Sequence, residues 1–416
     1  MIWRTLDLLH ALIVVLIWPL RLTAWGRKRV AFERERDPVL KDVQWTFEVS
    51  SEGEFEQVRP WLETLMLDSE KIELVYASES VHKRVKEFKE RYPLQVRLFP
   101  MPLLTHTPWE LVRKLKAPRL VLCRYDFFPS LMARSTVATV IGGVVWASFT
   151  GKRERLKKRF WREFYRWLYS SFRWVVPATH EDELIYHNLC SLKVFPTNEM
   201  RVPQIINRLS NAEQTLKNKF PHWEKFQAHL QRYSYPSRWV LGSFWEPDLA
   251  FLNDEALKAD VKADKTLVML VPHQLGAHWR EKISGPVTEI NPDWSGEIIP
   301  GSVILINLKG VLCELYSQVG HVYVGGGFGR SVHSVMEPFV AGARVYCGPK
   351  VYRSTEVEAI QALGGNFLRV VAEHSRLAHC YSERFEAAQD LTRRQEWLDN
   401  QAIRLKLNLA EVKQLC

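Results

Sequence analysis

The chain alternates short, strongly apolar runs with amphipathic segments along most of its 416 residues, and no other feature limits its fold as much. The apolar runs are rich in β-branched and aromatic residues, as strands are. Parallel strands need long crossover connections, usually helices, so the pattern predicts parallel sheets covered by helices, the α/β class. The first six runs are Trp45–Val49, Glu73–Tyr76, Val96–Phe99, Leu120–Leu122, Val140–Trp146 and Trp174–Val176. The later runs are Trp239–Leu241, Thr266–Val271, Val303–Ile306, Val322–Val324 and Val345–Cys347.

The length predicts two domains of similar size, because most domains hold about 100–200 residues. A polar, proline-interrupted stretch over residues 210–237 is the predicted linker between them. We therefore expect two doubly wound, Rossmann-type domains over residues 26–209 and 238–381, and closing helices over residues 382–416. Two such domains facing a cleft would bind ligands at the carboxyl ends of their strands.

Composition narrows the possible partners. Lysine and arginine together number 57 and aspartate and glutamate 47, which leaves a formal net charge of +10. Such an excess indicates an anionic partner: nucleic acid, a phospholipid surface or a phosphorylated substrate. The hydrophobic fraction of 46% excludes a disordered chain, and six cysteines without a CxxC pair argue against a zinc site and a disulfide framework.

The N-terminal segment is almost wholly apolar from Leu8 to Leu20 and is followed by the basic run Arg27–Arg29. A full membrane span needs about 20 apolar residues, and this run is shorter. We interpret residues 1–25 as a membrane anchor, tilted or lying partly in the interface, with the rest of the chain in the cytoplasm. The alternative is an amphipathic helix packed on the protein's own surface.

The loop after the first strand contains Ser51, Gly53 and Glu54, which mark a strand-to-helix turn. A carboxylate near a helix N-terminus is favoured by the helix dipole, and at a cleft edge it can accept a proton from an attacking hydroxyl. The local pattern alone favours the simpler interpretation, in which Glu54 or Glu56 only caps the helix.

A glycine-rich loop, Gly325–Gly329, follows the strand Val322–Val324 and leads towards His333 and Glu337. Glycines allow a backbone to approach a phosphate closely, and a carboxylate such as Glu337 can accept hydrogen bonds from ribose hydroxyls. The spacing matches neither a dinucleotide fingerprint nor a P-loop. A tight turn that requires glycine explains the loop equally well.

Two further loops of the second half follow strands, namely Gly242–Asp248 and Pro272–Gln274. His273 and His278 lack the accompanying carboxylate or cysteine spacing of a metal site. A phosphate or sugar contact is therefore the favoured role, and no metal is expected.

The segment from Lys152 to Trp174 is the most basic of the chain, and its aromatic residues recur at near-helical spacing. A basic amphipathic helix of this kind suits an anionic lipid surface, nucleic acid, or a solvated face over the core. The predicted anchor favours lipid. Nucleic acid is not expected, because the basic run is confined to one segment.

Taken in order, these loops resemble the 3-deoxy-D-manno-octulosonic acid (Kdo) transferases of lipopolysaccharide assembly, over nearly the whole chain. The residues that carry the resemblance are the N-terminal apolar segment, Ser51–Gln57 with Arg59-Pro60, Tyr125–Phe128, Gly242–Trp245, Pro272-His273, Gly310, Gly325–Gly329, His333–Glu337, Gly348-Pro349, Glu356 and Gly364-Gly365.

The resemblance implies a GT-B fold, CMP-Kdo as donor, a phosphorylated lipid A precursor as acceptor, no catalytic metal or other cofactor, and a place on the cytoplasmic face of the inner membrane. It puts the catalytic base on Glu54. It puts the donor site on Gly242, Ser243, His273, Gly326, Gly327, His333, Ser334, Glu337 and Glu356. The acceptor would meet Ser51, Gly53, Asp126, Arg153, Arg155 and Arg159.

The chain departs from the family pattern at Asp126, Asn307 and Ser334, and at the motif Asn198–Arg201. We therefore predict an inverting transfer of Kdo to a lipid hydroxyl, with Glu54 as general base. Two alternatives stay open: a related membrane-bound transferase with another nucleotide sugar, and a non-catalytic protein that binds lipid phosphates.

Overall fold

The computed structural model describes residues 2–276, 278–382 and 391–415. The chain divides into two compact units. Unit 1 comprises Met1–Arg201 and Gln401–Cys416, and unit 2 comprises Val202–Asn400.

Unit 1 contains one seven-stranded sheet. Its strands are β1 (Trp45–Glu48), β2 (Ile72–Tyr76), β3 (Val96–Pro100), β4 (Arg119–Cys123), β5 (Ile141–Ala147), β6 (Trp174–Pro177) and β7 (Lys193–Val194). Its helices are α1 (Ile2–Leu16), α2 (Ala24–Arg34), α3 (Glu52–Leu67), α4 (Glu79–Arg91), α5 (Glu110–Lys114), α6 (Pro129–Ser135), α7 (Arg153–Leu156), α8 (Arg159–Tyr169) and α9 (His180–Leu189), with a 3₁₀ turn at Trp18–Leu22.

The strand order of this sheet is β3-β2-β1-β4-β5-β6-β7, and all neighbouring strands are parallel. Successive residues of β4 pack on opposite faces: Val121 and Cys123 lie in one core cluster, Leu120 and Leu122 in another. Both faces are covered, as parallel sheets require. The strand order reverses between β1 and β4, and ligands bind at such a point in doubly wound sheets.

Unit 2 contains a second seven-stranded sheet. Its strands are β8 (Arg238–Phe244), β9 (Leu267–Pro272), β10 (Val287–Ile290), β11 (Val303–Ile306), β12 (His321–Val324), β13 (Arg344–Cys347) and β14 (Leu368–Val370). Its helices are α10 (Val202–Ser210), α11 (Ala212–Lys219), α12 (Trp223–Leu230), α13 (Glu255–Lys262), α14 (Trp279–Lys282), α15 (Leu312–Tyr316), α16 (Met336–Val340) and α17 (Thr355–Ala362), and 3₁₀ turns lie at Tyr235–Ser237, Glu246–Asn253 and His374–His379. The last helix, α18 (Leu391–Gln414), contributes to both units.

The order of the second sheet is β10-β11-β9-β8-β12-β13-β14, again with all neighbours parallel. It reverses between β8 and β12. The prediction of two parallel-sheet α/β domains is therefore confirmed. The strands that the sequence analysis missed are β7, β10 and β14, which all lie at sheet edges. β7 and β14 are short and incompletely buried, and β10 carries the polar residues Thr288 and Glu289.

The domain boundary differs from the predicted one. Residues 210–237 form no free linker, because α11 and α12 occupy most of this stretch. Phe220, Trp223 and Phe226 from these helices are buried in the core of unit 2. The prolines interrupt helices there, and the polar residues lie on the outer faces of those helices. Of the closing segment, residues 383–390 lie outside the described residues, and α18 follows them as one long helix.

The N-terminal segment is folded onto unit 1. The indole Nε1 of Trp3 donates to Ser171 Oγ at 2.7 Å, and its ring stacks on Trp167 at 4.6 Å. Asp7 is fully buried: its Oδ2 accepts a hydrogen bond from Trp109 N at 2.5 Å, and its Oδ1 lies 2.9 Å from Nε2 of His106. The alternative of a helix packed on the protein's own surface therefore describes this face of α1.

Among the described residues, no helix has the length and apolar character needed to cross a membrane. The run ends at a proline-containing 3₁₀ turn after α1, and α1 is 15 residues long. The outward face of α1 is nevertheless apolar and exposed, through Ile2, Leu8, Leu9, Leu12, Ile13, Val15 and Leu16.

Replacing Asp7 by alanine tests this packing. We expect Asp7→Ala to lower the free energy of unfolding of unit 1 by about 2–4 kcal/mol, because it leaves a buried backbone N–H and a buried imidazole without their carboxylate. Leu12→Ala, on the exposed face of the same helix, should change it by no more than about 0.5 kcal/mol. Denaturant unfolding of the full chain measures both, and equal effects of the two substitutions would contradict the docked helix.

Candidate active site

The first candidate site lies in unit 1 at the carboxyl ends of β1 and β4, which are paired strands. The loop after β1 leads into α3, and Ser51 is the N-cap of that helix. Its Oγ accepts a hydrogen bond from the backbone N–H of Glu54 at 3.3 Å. In return, Oε2 of Glu54 accepts a hydrogen bond from the backbone N–H of Ser50 at 2.7 Å. Glu54 therefore does cap the helix, by a reciprocal exchange that fixes its side chain.

The environment of Glu54 differs from that of an ordinary helix cap. Its side chain retains only 8% exposure. Burial raises the pKa of this carboxyl, and the nearby charge of Asp126 raises it further. The Ser50 N–H and the Arg124 guanidinium act in the opposite direction and favour the ionised form. A carboxylate with these opposing influences, in a largely desolvated place, is suited to taking up a proton.

A second carboxyl in this place was missed by the sequence analysis. Glu48, the last residue of β1, is fully buried and accepts a hydrogen bond from Ser50 Oγ at 2.5 Å. Burial raises its pKa well above the ordinary value, and the charges of Asp126 and Glu54 add to this effect. Burial thus favours the neutral form of Glu48, and Ser50 contacts both carboxyls. The signal available in the sequence was an acidic residue inside an otherwise apolar strand.

The backbone at this edge is strained. Arg124, which directly follows β4, has a φ of 63°, and Trp146, which lies in β5, has a φ of 53°. Both values fall in the left-handed region. The guanidinium carbon of Arg124 lies 3.3 Å from the centre of the Trp146 ring. Non-glycine residues in this conformation cost about 1–2 kcal/mol each, and such strain is commonly found at functional sites.

The other residues predicted for the acceptor are dispersed. A Cβ at Gly53 would meet no atom within 4 Å, so this glycine leaves open space at the start of α3. Arg153 is engaged within unit 1, 2.7 Å from Glu181 and 3.3 Å from Asp182. Arg155 and Arg159 are exposed. The aromatic stripe of α8 is buried only at its end: Leu168 is 4% exposed, whereas Phe160 is 72% exposed.

The motif Asn198–Arg201, where the chain departs from the pattern of the Kdo transferases, has a structural role in unit 1. Glu199 Oε1 accepts a hydrogen bond from Gln57 of α3 at 3.0 Å. Asn198 donates to the backbone oxygen of Gln401 at 2.8 Å, and the Glu199 N–H donates to the Gln401 side chain at 2.9 Å. These contacts join the first turns of α3, just after Glu54, to the returning helix α18.

The second candidate site lies in unit 2, in a cavity of about 770 Å³ beside the point where its strand order reverses. The walls of this cavity include Trp245, Asp248, His273, Gly326, Arg330 and His333. Three of its rings form a stack: His273 lies 4.7 Å from Trp245 and 4.3 Å from His333. Trp245 Nε1 also donates to His333 Nε2 at 3.1 Å, which requires that nitrogen to be unprotonated.

Burial lowers the pKa of His333 to about 4, and the neighbouring His273 contributes to the shift. The imidazole rings of His273 and His333 are stacked face to face. Two metal ligands would instead point their ring nitrogens at a common position. No cluster of three or more metal-binding side chains occurs in the described ranges.

The glycine run is required by packing. A Cβ at Gly325 would lie 2.3 Å from Ser243 O, and one at Gly327 would lie 2.6 Å from the backbone of Gly348. Gly326 has a φ of 90°, which favours glycine. Gly242 similarly leaves room for the Tyr316 hydroxyl, and Ser243 adopts a φ of 51°. The simple explanation by tight turns is thus sufficient for the glycines, while the same packing brings the backbone of Gly326 to the cavity wall.

The start of α16 is already occupied by a carboxylate of the protein. Glu356 Oε2 accepts hydrogen bonds from Val335 N at 2.8 Å, Met336 N at 3.0 Å and Ser334 Oγ at 3.0 Å. Of the predicted donor residues, Ser334 and Glu356 are therefore engaged with one another. Glu337 is half-buried and lies 3.8 Å from Arg208, whose guanidinium forms two hydrogen bonds with Glu314.

Three of the predicted donor residues, His273, Gly326 and His333, line the cavity together; Gly242, Ser243, Gly327, Ser334, Glu337 and Glu356 are not part of its wall. Trp245 and Asp248 also line it; they belong to the loop Gly242–Asp248 that the sequence analysis singled out, but of this loop only Gly242 and Ser243 were assigned to the donor. Asp248 accepts hydrogen bonds from Trp245 N and Tyr323 Oη, each at 2.8 Å, and so fixes the loop that carries Trp245. An aromatic residue directly after a buried strand was the available signal. Asn307 is held away from the wall by paired hydrogen bonds with Gly276, each 3.1 Å long.

No protein-family model and no curated protein sequence matches the chain. Solved structures match its fold. The Arabidopsis thaliana UGT89C1 complexed with UDP matches with a TM-score of 0.55 and 9% identity, over 88% of this chain and 99% of that one. A Neisseria meningitidis UDP-GlcNAc 2-epimerase bound to UDP-GlcNAc matches with a TM-score of 0.50 and 13% identity, over 89% of this chain and 99% of that one.

The C-terminal CMP-Kdo binding domain of WaaA from Acinetobacter baumannii matches 48% of this chain and 97% of its own, with 16% identity and a TM-score of 0.31, which is too low to carry an argument. At these identities the likeness shows the fold alone: two parallel-sheet α/β units like those of GT-B glycosyltransferases. The resemblance to Kdo transferases stays a prediction.

The ring stack of unit 2 predicts a pH effect. The pKa of His333 is about 4 in the folded protein and has its ordinary value of 6.5 in the unfolded chain. The neutral ring therefore contributes fully to the free energy of unfolding above pH 6.5, and this contribution is lost as the pH falls towards 4. We expect unit 2 to lose about 1–2 kcal/mol over this range, less than full linkage predicts because the ring is only half-buried. His333→Gln should flatten this dependence, whereas the exposed His187→Gln should not. NMR titration of the imidazole gives the direct measurement, and a midpoint near pH 6.5 would refute the prediction.

Proposed function

We propose that the chain is an inverting glycosyltransferase that moves Kdo from CMP-Kdo to a hydroxyl of a phosphorylated lipid A precursor. Glu54 is the general base. Unit 1 binds the acceptor and unit 2 binds the donor. The reaction uses no metal and no other cofactor, and the residues of the two sites supply all the groups that it needs.

The observation that carries this proposal is the state of Glu54. Its side chain is fixed by the Ser50 N–H, largely desolvated, and influenced in opposite directions by Asp126 and Arg124. A purely structural cap needs neither a buried carboxyl nor a second acidic group beside it. The resemblance puts the base on this residue independently of these contacts.

The chemical step balances as a substitution. Glu54 removes the proton of an acceptor hydroxyl, the oxygen forms a bond to the anomeric carbon of Kdo, and the bond from that carbon to the phosphate oxygen breaks. CMP leaves with the bonding electron pair, and the proton remains on Glu54. Positioning of the two substrates supplies much of the acceleration.

The cavity of unit 2 suits a nucleotide donor. Its stacked aromatic and imidazole rings offer a flat apolar face, Arg330 supplies a positive charge, and Gly326 exposes backbone at the wall. This combination is what a base and a phosphate require. The same chemistry would serve other nucleotide sugars, and a donor other than CMP-Kdo is the alternative within this class.

We also propose a location at an anionic membrane surface, on the cytoplasmic face of the inner membrane, and the surface of unit 1 is suited to contact with lipid. Beside the apolar outer face of α1, Trp18 is 51% exposed, Trp25 61% and Phe160 72%. Arg155 and Arg159 are exposed at the adjoining start of α8. Exposed aromatic and aliphatic residues flanked by basic ones are typical of proteins that lie in the interface of a bilayer. A non-catalytic protein that binds lipid phosphates would present the same surface, and the following experiment separates the two.

Glu54→Gln should lower the steady-state rate of Kdo transfer by about 100-fold or more, because the amide retains the shape but cannot accept the proton. Glu52→Gln is the matched control, because Glu52 lies two residues before Glu54 on the same helix and is exposed. Transfer from CMP-Kdo to a lipid A precursor is measured by mass spectrometry of the lipid. Normal turnover by Glu54→Gln would remove Glu54 from the mechanism, and absence of transfer by the wild type would favour the non-catalytic alternative.

Asp126→Asn should move the acidic limb of kcat/KM to lower pH. The charge of Asp126 raises the pKa of Glu54, and its loss lets Glu54 ionise at lower pH. The pH–rate profile of the variant against that of the wild type gives the measurement. An unchanged limb together with a lowered rate would mean that Asp126 contacts the acceptor without influencing the base.

Donor identity is tested by ligand-dependent stabilisation. CMP at 100 times its Kd should add about 2.7 kcal/mol to the stability of the native state, whereas UDP at the same concentration should add much less. Thermal unfolding of the full chain measures both. Stabilisation by UDP and not by CMP would replace CMP-Kdo by another nucleotide sugar and leave the transferase class intact.

A further inference from the structure

Unit 1 contains a groove of about 450 Å³ between α1, α8 and the loops that follow β4 and β5. Its walls include Trp3 and Leu6 of α1, Tyr125 and Lys152 of the two loops, and Phe164 and Trp167 of α8. Most of these side chains are aromatic. The volume lies within the range of pockets that hold small organic ligands, about 300–1,000 Å³.

The apolar walls of the groove are rigid. At one side Trp3 and Trp167 are stacked at 4.6 Å, and Trp3 is fixed by its hydrogen bond to Ser171. At the bottom Phe149 packs edge-on against Tyr165 at 5.0 Å. Rings that are already in contact with one another lose little conformational entropy when a flexible chain is placed beside them.

One end of the groove is polar and cationic. The Lys152 ammonium lies 3.8 Å from the centre of the Tyr125 ring, and the Arg124 guanidinium lies 5.7 Å from the same ring. Ser148 contributes a hydroxyl at this end and donates to Thr150 Oγ1 at 2.8 Å. The neighbouring acidic group, Asp182, is held by Arg153, Thr179 and the Phe149 N–H. The groove thus has an apolar body and one end that carries a lysine ammonium.

We propose that this groove binds a single alkyl chain of an anionic amphiphile, with the phosphate or carboxylate at Lys152. A sugar would leave the apolar walls without contacts, and an uncharged hydrocarbon would not use the positive charge of Lys152. An alkyl chain next to an acidic head group uses both ends.

The groove is continuous with the candidate base through the loop after β4. Tyr125 lines the groove, and Asp126, the next residue, is the charge that acts on Glu54. If the proposed function holds, on which this step rests, the amphiphile is the acceptor itself. One of its chains then lies in the groove, its phosphate lies at Lys152, and a sugar hydroxyl lies near Glu54. The groove would then select acceptors by chain length as well as by sugar.

The test uses alkyl phosphates of 8, 10 and 12 carbons with the full-length wild type, at concentrations where they stay monomeric. Titration calorimetry gives the Kd, and each added pair of methylenes should tighten it roughly tenfold while the chain still fits. Lys152→Met should weaken alkyl phosphates at least threefold and leave dodecyl maltoside, an uncharged amphiphile of the same chain, unaffected. Lys157→Gln, an exposed lysine that pairs with Glu154, is the matched control and should change neither.

Two variants address the apolar body. Leu6→Trp should fill the groove and abolish saturable binding of both amphiphiles, while Phe164→Ala, at a partly exposed position, should weaken both without endangering the fold. Thermal unfolding verifies that each variant is folded. Equal Kd values in the wild type and in both variants would overturn the inference, as would an affinity that does not depend on chain length.

A vesicle arm separates groove binding from adsorption to a bilayer. Heat from the alkyl phosphates without vesicles supports the groove, whereas association seen only with phosphatidylglycerol vesicles overturns it. Glu54→Gln should bind the alkyl phosphates as the wild type does. Binding without any Kdo transfer would refute the proposed function and keep the groove, and transfer that ignores acceptor chain length and Leu6→Trp would refute the groove and keep the function.

Discussion

Both candidate sites depend on the same constraint, the reversal of strand order in a parallel sheet. In unit 1 the order reverses between β1 and β4, and in unit 2 between β8 and β12. Crossover helices leave in opposite directions at such a point, so the two loops that follow these strands are separated and a crevice forms between them. Glu54 and Asp126 follow β1 and β4. Trp245 and the glycine run follow β8 and β12.

This placement brings together groups that an isolated loop would keep apart, at a cost in stability. Glu48, Glu54 and Asp126 lie close enough for their charges to interact, and burial strengthens the effect. Arg124, Trp146 and Ser243 add left-handed backbone at the same strand ends. The two hydrophobic cores of each unit supply the stability that permits these costs. Strain and desolvation are therefore concentrated where the sheet itself creates a crevice.

The fold class was predictable because buried parallel strands are apolar on both faces, and every central strand shows this in the sequence. The edge strands β7, β10 and β14 were not predictable, because β7 and β14 are short and incompletely buried and the four residues of β10 include Thr288 and Glu289, which interrupt its apolar pattern. Among the candidate site residues, Glu54 and His333 were predicted from their loops, and their roles stay predictions. Glu48 was missed because a single acidic residue in a strand has no local partner, and Trp245 because ring stacking joins residues distant in the chain. The roles of Glu356 and Arg153 could not be predicted either, because their partners come from other loops.

The N-terminal helix shows the same limit in a different form. In a typical surface helix the apolar residues face the protein and the polar ones face water. In α1 the polar residues Asp7 and His10 face the protein, where Asp7 holds Trp109 N and His10 stacks on His106 at 4.4 Å. Arg4 and Thr5 near the start of the helix are exposed, and from Leu8 onward the residues facing outward are aliphatic. Hydropathy alone recognises an apolar run, but only the position of its few polar residues tells which side is turned to the protein. A folded helix that turns its aliphatic face outward leaves an apolar patch that water does not favour. In the proposed function this aliphatic face meets the interface of the bilayer and the aromatic groove of the same unit holds an alkyl chain, so that both would contact the lipid.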